Sequence, residues 1–398
     1  GGHVPVALGV AAPLLDPADL FTCRQILLTT TAIVAFAGAA AADGHTSIAF
    51  SGGATLGYND DIEDGFYWDS DIDVTGSAAL DNGITASVSA ELNIASDDAA
   101  DGNVDAQFDE LVISIASESA SLSFGDVDPV AEDNYGGVDG DSTTGFNDLD
   151  AHFDVVGFDA MLVGEVSVAG VTAMVSYGVF NDEAAAPGDL DVIDALQVYA
   201  TGDFGMFSVE AAYQDELTGL LDYSVFGVSA TAAVAGAEIT AAYIANTEDA
   251  GNAIAEESSF GLGVSYPVGP VTLGGYYSVN DVAEDSYGVS ADYVDGPIAV
   301  NAFYDFEGNT GSATEVNEFG IEGSYDTGMN LTVLAGYIST EVGAADATAQ
   351  TYVAGVYDLG GGGKVLVAYA EDEADATNDE IGDPEYKHGT TVAVSFSF

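Results

Sequence analysis

Apolar and polar side chains alternate along the chain from Thr46 onward, in segments of about ten residues that are separated by turns. Successive side chains of a strand point to opposite faces, so this alternation predicts strands with one apolar and one polar face. The polar positions hold Ser, Thr, Asn, Asp and Glu. The clearest apolar faces are Ile48, Phe50, Ala54, Leu56 and Tyr58 in the first segment, Ile84, Ala86, Val88, Ala90, Leu92 and Ile94 in the third, and Val171, Ala173, Val175, Tyr177 and Val179 further along.

Short turns rich in Gly, Asp and Asn alternate with longer acidic stretches, a pattern that is typical of outer-membrane β-barrels. Nine short turns, with the last strand closing on the first, predict about 20 strands. Counts of about 16 or 18 stay open, because short apolar runs are easily overcounted. The short turns are 81–83, 117–120, 169–170, 203–205, 235–236, 269–270, 295–297, 327–328 and 360–363, and long stretches include 97–105, 245–257 and 371–387.

A hairpin repeat of roughly 27 to 34 residues occupies the second half of the chain. Its units begin SVFGVSA at Ser224, SFGLGVSY at Ser259, SYGVSADY at Ser286, EFGIEGSY at Glu318 and TYVAGVYD at Thr351. Solenoids and propellers also repeat at such lengths, but neither blade signatures nor a Gly-Gly-x-Gly-x-Asp repeat is present in the sequence. The pattern therefore favours a closed antiparallel barrel, in which every backbone polar group is paired.

The N-terminal region resembles a secretory leader. Arg24 precedes the uncharged apolar run Ile26–Ala37, and small residues follow it up to Ala42. A membrane-spanning helix needs about 20 apolar residues, so this shorter run favours a signal peptide over residues 26–42, with the mature domain at 43–398. Residues 1–25 fit no leader and are interpreted as an upstream extension.

Composition sharpens this interpretation. The chain carries 67 acidic residues against three basic ones, Arg24, Lys364 and Lys387, yet 48% of it is hydrophobic. A disordered acidic chain would be poor in aromatic and β-branched residues, whereas this one has 20 Tyr and 19 Phe. The only cysteine, Cys23, precedes the predicted cleavage point.

Four stretches resemble the Gram-negative general porin family, in its alphaproteobacterial branch. They are FYWDSDIDVTGSAALDNGITASVSAEL from Phe66, LSFGDVDP from Leu122, YDLGGGG from Tyr357, and the final strand ending at Phe396 and Phe398. The resemblance implies a homotrimer of barrels in the outer membrane, each pore narrowed by a third external loop that folds inward. It also implies 16 strands, and a terminal aromatic residue that the outer-membrane assembly machinery recognises.

By this resemblance the constriction loop follows LSFGDVDP, over about 125–156. Its acids are Asp126, Asp128, Glu132, Asp133, Asp139, Asp141, Asp148, Asp150 and Asp154. The basic cluster that faces such acids in the family has no counterpart after Arg24. Alternation places further acids on the lumen wall: Asp69, Asp71, Asp73, Glu91, Glu110, Glu210, Glu238, Asp292 and Glu322.

Other chemistry is not supported by the sequence. The GGGGK stretch ending at Lys364 lacks the Ser or Thr of a phosphate-binding loop, no zinc spacing occurs, and no catalytic elbow is present. We expect no cofactor, although divalent cations such as calcium could bridge acidic loops. The expected function is passive diffusion of ions and small hydrophilic solutes with a preference for cations, and no nucleic-acid partner is expected. The alternatives are a specific channel for cationic nutrients or divalent metals, and a structural or adhesive barrel.

Overall fold

The computed structural model describes residues 46–61, 65–80, 82–96, 107–138, 153, 160–179, 193–216, 224–247, 258–280, 285–308, 315–375, 377–378 and 380–398. The predicted leader and the upstream extension lie outside these residues.

The described residues form twenty strands and one short helix. The first ten strands are β1 (Thr46–Asn59), β2 (Phe66–Ala79), β3 (Thr85–Ser96), β4 (Gln107–Ala116), β5 (Ala120–Gly125), β6 (Ala160–Val168), β7 (Val171–Val179), β8 (Ile193–Asp203), β9 (Phe207–Glu216) and β10 (Ser224–Val234), with helix α1 (Val130–Asn134) between β5 and β6. The others are β11 (Ala237–Asn246), β12 (Ser258–Val268), β13 (Val271–Asn280), β14 (Ser286–Asp295), β15 (Ile298–Glu307), β16 (Val316–Asp326), β17 (Leu331–Val342), β18 (Thr348–Gly360), β19 (Gly363–Asp372) and β20 (Gly389–Ser397).

Each strand pairs antiparallel with the next, and β20 pairs with β1 to close the sheet. At the seam, Gly53 lies opposite Ser397, and the Phe398 N–H donates to the Gly52 carbonyl at 3.0 Å. The closed barrel is confirmed, and its strand number is the 20 that the turns predict. The 16 strands that the family resemblance implies do not describe this chain.

Tight turns join the strands at one end of the barrel, which we call the turn end. Ala169 and Gly170 have φ of 54° and 84°, and Ala235 and Gly236 have φ of 55° and 90°. Two consecutive positive φ values define the hairpin turn whose twist matches the right-handed twist of strands. The connections at the other end are the loops, numbered from the β1–β2 connection as loop 1.

The outward face of the barrel is apolar and open, as β12 illustrates. Phe260, Leu262, Val264 and Tyr266 are between 45% and 48% exposed, whereas the intervening Ser259 is only 1% exposed. Exposing such an apolar surface to water costs a free energy of about 25 cal/mol per Å². Contact with lipid tails carries no such cost. Among the described residues, none of the helices has the length and hydropathy to cross a bilayer.

Candidate functional site

The inward face of β2 and β3 carries a cluster of carboxylates. Phe66, Trp68 and the other outward residues alternate with Asp69, Asp71 and Asp73, and Asp73 lies opposite Glu91 of β3. One carboxylate oxygen from each of Asp71, Asp73 and Glu91 lies within 4.8 Å of the others. Ser51 Oγ of β1 donates to Asp73 Oδ2 at 3.1 Å. The sequence interval WDSDIDV therefore forms an acidic patch on the inner wall.

A β-bulge changes the placement of Glu110. The β3–β4 ladder pairs Ser89 with Val112 but Glu91 with Asp109, so one extra residue is accommodated on β4. Glu110 lies within this interval with φ of 51°, a value that residues other than Gly seldom adopt. In a regular ladder Glu110 would lie opposite Glu91, which is the inner-wall position that alternation assigns to it. Because of the bulge, the backbone of Asp109 lies opposite Glu91 instead.

The remaining wall acids lie around the barrel on other inward faces. Glu210 of β9 accepts hydrogen bonds from Tyr199 Oη, at 3.0 Å, and from Ser229 Oγ. Asp292 of β14 accepts one from Asn301 Nδ2 at 2.8 Å. Glu238 and Asp292 line a recess of about 250 Å³ beneath Val138. Glu322 of β16 also points inward but is only 7% exposed.

Loop 3 is the β5–β6 connection, which is described at 126–138 and at Phe153. It follows Gly125, a position where only glycine fits. Gly125 has φ of +136°, and a Cβ there would lie 1.9 Å from the Leu111 carbonyl oxygen. That close approach lets the Asp126 N–H donate to the same carbonyl at 3.1 Å. The LSFG sequence therefore ends β5 and directs the chain away from the ladder.

Loop 3 folds into the barrel and is held by a row of polar side chains. Ser176, Gln197 and Gln214 lie directly opposite one another across β7, β8 and β9, and each is at most 1% exposed. Gln197 Oε1 accepts the N–H groups of Ala131 and Glu132 at 2.6 and 3.3 Å, and Ser176 Oγ accepts that of Val130 at 3.0 Å. Gln197 Nε2 donates to the Phe153 carbonyl and to Gln214 Oε1. The start of α1 is thereby fixed to the inner wall.

Apolar packing completes the contact between loop 3 and the wall. Tyr135 lies over Gly227 of β10, where a Cβ would come within 2.6 Å of the ring, and Tyr135 Oη donates to the Tyr243 carbonyl at 3.3 Å. Val138 lies over Gly263 of β12 in the same way. Phe153 packs edge-on against Tyr135 with ring centroids 5.3 Å apart. Loop 3 thus spans the inner wall from β7 to β12.

The acids predicted on loop 3 divide into two groups. Asp126, Asp128, Glu132 and Asp133 are at least partly exposed, while the α1 residues that face the wall, Val130 and Ala131, are buried. Asp139, Asp141, Asp148, Asp150 and Asp154 lie outside the described residues. The described part of loop 3 therefore turns its carboxylates away from the wall.

Both lysines of the described region face the interior. Lys364, on the inward face of β19, lines a recess with Asp358 and Glu322. Lys387, in loop 10, places Nζ 5.5 Å from the centroid of Tyr67, which is an inward residue of β2. The sequence places these lysines only near a short turn and in an external loop, so it does not reveal that both face the interior of the barrel.

Sequence reasoning finds the acidic wall but misses the polar row that holds loop 3. Alternation alone would place Ser176, Gln197 and Gln214 on inward faces. What distinguishes them is their alignment at one level across three strands, and that alignment follows from the strand register.

Carboxylate oxygens are the donors that calcium and magnesium prefer. Asp71, Asp73 and Glu91 are the one such cluster within the described residues, and acids alone do not establish a metal site.

The strand ladder, the apolar outer band, the acidic inner wall and the inward loop together define a transmembrane β-barrel channel. The family model for Gram-negative porins matches residues 29–293, which is more than half of the chain. The chain belongs to the Gram-negative porin family, and it is a channel of the outer membrane that crosses the bilayer many times.

Solved porin structures align with most of the chain. One variant of the Rh. blastica porin shares 16% identity with a TM-score of 0.45, and the alignment covers 88% of this chain and 100% of that chain. A triple mutant of the Rhodopseudomonas blastica porin shares 15% identity with a TM-score of 0.41, over 88% and 100% of the two chains. Comparison with curated protein sequences gives no match.

Proposed function

We propose that the barrel is a water-filled pore through which ions and small hydrophilic solutes diffuse passively, with a preference for cations. The observation that carries this proposal is the carboxylate cluster of Asp71, Asp73 and Glu91 on the inner wall, with oxygen atoms within 4.8 Å of one another. A wall of one charge sign concentrates counter-ions and excludes co-ions.

The balance of charge inside the described barrel supports a preference for cations. Asp69, Glu210, Glu238 and Asp292 extend the negative wall beyond the cluster, and the acids at the start of loop 3 are at least partly exposed. Against these stand two inward lysines, Lys364 and Lys387. The lysines reduce the negative potential locally but are too few to reverse its sign.

Single-channel recording in planar bilayers tests this proposal directly. With a salt gradient across the membrane, the reversal potential gives the ratio of cation to anion permeability. A reversal potential of the sign expected for cations supports the proposal, and one of the opposite sign rejects it. A barrel that inserts but does not conduct would favour the structural or adhesive alternative.

Salt concentration should weaken the preference. The screening length falls from about 10 Å at 0.1 M to about 3 Å at 1 M, so at high salt the wall charges act only on ions that touch them. We expect the permeability ratio to approach the ratio of the bulk ion mobilities as salt is raised over this range. A ratio that does not change with salt would contradict selection by wall charge.

Phe398 should matter for assembly of the barrel. Phe398 is paired with Gly52 at the barrel seam, and its ring is 43% exposed on the outer band next to that of Phe396. We propose that Phe398 is part of the signal read by the assembly machinery, and that the assembled barrels form homotrimers. Phe398→Ala should then reduce the amount of heat-modifiable barrel in outer-membrane fractions, measured by gel shift.

Leu359→Ala provides the matched control for this experiment. Leu359 is also an exposed apolar residue, 56% exposed, but it lies beside the β18–β19 turn rather than at the seam. Normal assembly of both variants would show that Phe398 has no special role. A single-barrel species on native gels would contradict the trimer.

A further inference from the structure

Loop 10, the β19–β20 connection over 373–388, contains a small hairpin of its own. Ile381 and Tyr386 exchange two backbone hydrogen bonds of 3.0 Å each, and the Glu385 N–H donates to the Gly382 carbonyl at 2.9 Å. Gly382 and Glu385 have φ of 69° and 54°, which closes the turn around Asp383 and Pro384. The tip of the loop therefore has a defined shape.

The hairpin is seated on the inner wall of the barrel. Ile381 is fully buried and Tyr386 is 3% exposed, and both pack against the inward residues Tyr352, Ala368 and Ala370 of β18 and β19. The rings of Tyr352 and Tyr386 have centroids 5.2 Å apart. Burial raises the pKa of Tyr386 to about 12, so its phenol stays neutral in this contact.

Polar contacts fix both the tip and the base of loop 10. At the tip, the Asp383 N–H donates to Glu322 Oε1 at 3.3 Å, and Glu322 is only 7% exposed. At the base, Asn378 Nδ2 donates to Asp372 Oδ2 at 2.7 Å, and Asn59 Nδ2 of β1 donates to the His388 carbonyl at 2.8 Å. The loop is therefore attached to the wall at both places.

The contact lies well inside the barrel. Glu322 is six residues beyond Val316, the loop-end residue of β16, and six residues at about 3.3 Å each span roughly 20 Å along the strand. The tip residues Asp383 and Glu385 border a recess of about 750 Å³, together with Asp358, Lys364 and Glu322. The hairpin tip therefore forms part of the lining of the lumen.

We propose that loop 10 is a second constriction element, and that Asp383 and Glu385 at its tip help to determine which ions pass. This inference rests on the proposed function as a pore. Loop 3 covers the inner wall from β7 to β12, and loop 10 covers it on β16, β18 and β19. The two loops narrow the lumen from different sides, and the acidic wall of β2 and β3 stays between them.

Cysteine labelling tests this proposal, in full-length protein that carries Cys23→Ser so that the introduced thiol is the only one. Asp383→Cys and Asp346→Cys remove the same charge from two loops, and Asp346 is an exposed residue in the connection between β17 and β18. A cationic methanethiosulfonate reagent is applied during single-channel recording, and mass spectrometry verifies the labelling. We expect a stepwise loss of conductance and a loss of cation preference when the thiol introduced at position 383 reacts, and no change when the one at position 346 reacts.

Equal effects at the two positions would overturn the proposal, and so would complete labelling at position 383 without any change in current. Failure of the thiol at position 383 to react under conditions that label position 346 would also overturn it, because the tip would then not face the aqueous lumen. The unlabelled channel reports separately on the proposed function, since its reversal potential gives ion preference whatever loop 10 does.

A second variant removes the apolar contacts that hold loop 10 on the inner wall and leaves the acids at its tip in place. Ile381→Ala combined with Tyr386→Ala deletes the apolar contacts on Tyr352 while leaving the charges of loop 10 unchanged. We expect a higher single-channel conductance in barrels that remain heat-modifiable. An unchanged conductance in such barrels would contradict a constricting role, and if the variant does not assemble, the labelling result decides.

Discussion

Replacing Asp69, Asp71 and Asp73 together with Asn is expected to lower the cation preference severalfold without closing the pore. The three side chains lie on the inward face of β2, and Asn has nearly the same shape as Asp but carries no charge. Charged clefts raise local counter-ion concentrations by roughly tenfold or more. The ratio of cation to anion permeability at 0.1 M salt should therefore fall severalfold, as measured by reversal potentials.

A matched triple substitution separates wall charge from total charge. Glu118 and Asp295 lie at the turn end, and Asp346 lies in an outer connection, so Glu118→Gln, Asp295→Asn and Asp346→Asn together remove the same charge away from the inner wall. This control should keep the cation preference. If both triples behave alike, the acids of β2 do not act on permeating ions.

Replacing Gln197 with Leu is expected to release loop 3 and raise the single-channel conductance. The variant removes the acceptor for the Ala131 N–H and the donor to the Phe153 carbonyl in a site that is 1% exposed. A buried polar group that loses its partner costs about 1–3 kcal/mol. Two such losses, about 2 kcal/mol or more, would shift the ratio of seated to released loop by at least roughly tenfold.

The control for this variant lies on the same strand. Thr201→Leu places the same side chain four residues further along the inward face of β8, away from the row of Ser176, Gln197 and Gln214. We expect its conductance to stay near that of the native channel, and limited proteolysis should cut loop 3 faster only in the Gln197 variant. Equal conductance in the two variants would argue against Gln197 as the anchor of a constriction.

The strands and their number were predictable from the sequence because they follow from local rules. Alternation of period two assigns faces within each strand, and Gly-containing turns mark where the chain reverses. The nine turns predict 20 strands, whereas the family resemblance implies 16. Here the count from the residues is the better guide, because it depends only on this chain.

Alternation assigns wall positions well where the strand itself carries no inserted residue. It places Asp69, Asp71 and Asp73 on the inward face, because the register shift between Ser70 and Asp71 arises from an extra residue on β3 and not on β2. It does not anticipate the bulge at Glu110, because an inserted residue changes the face of its neighbours without a clear mark in the sequence. It also does not show that a loop would cover Glu322.

The sequence by itself determined a closed acidic barrel with an apolar outer face and a long loop after LSFGDVDP. Only the tertiary structure decided which residues hold the loops against the inner wall. Gln197 holds loop 3 because strand register aligns it with Ser176 and Gln214, and loop 10 enters the lumen because Tyr352 and Ala370 offer a seat to Ile381 and Tyr386. Face assignment depends on neighbouring residues along one strand. The seat of a loop depends on residues far apart in the chain, which only closure of the barrel brings together.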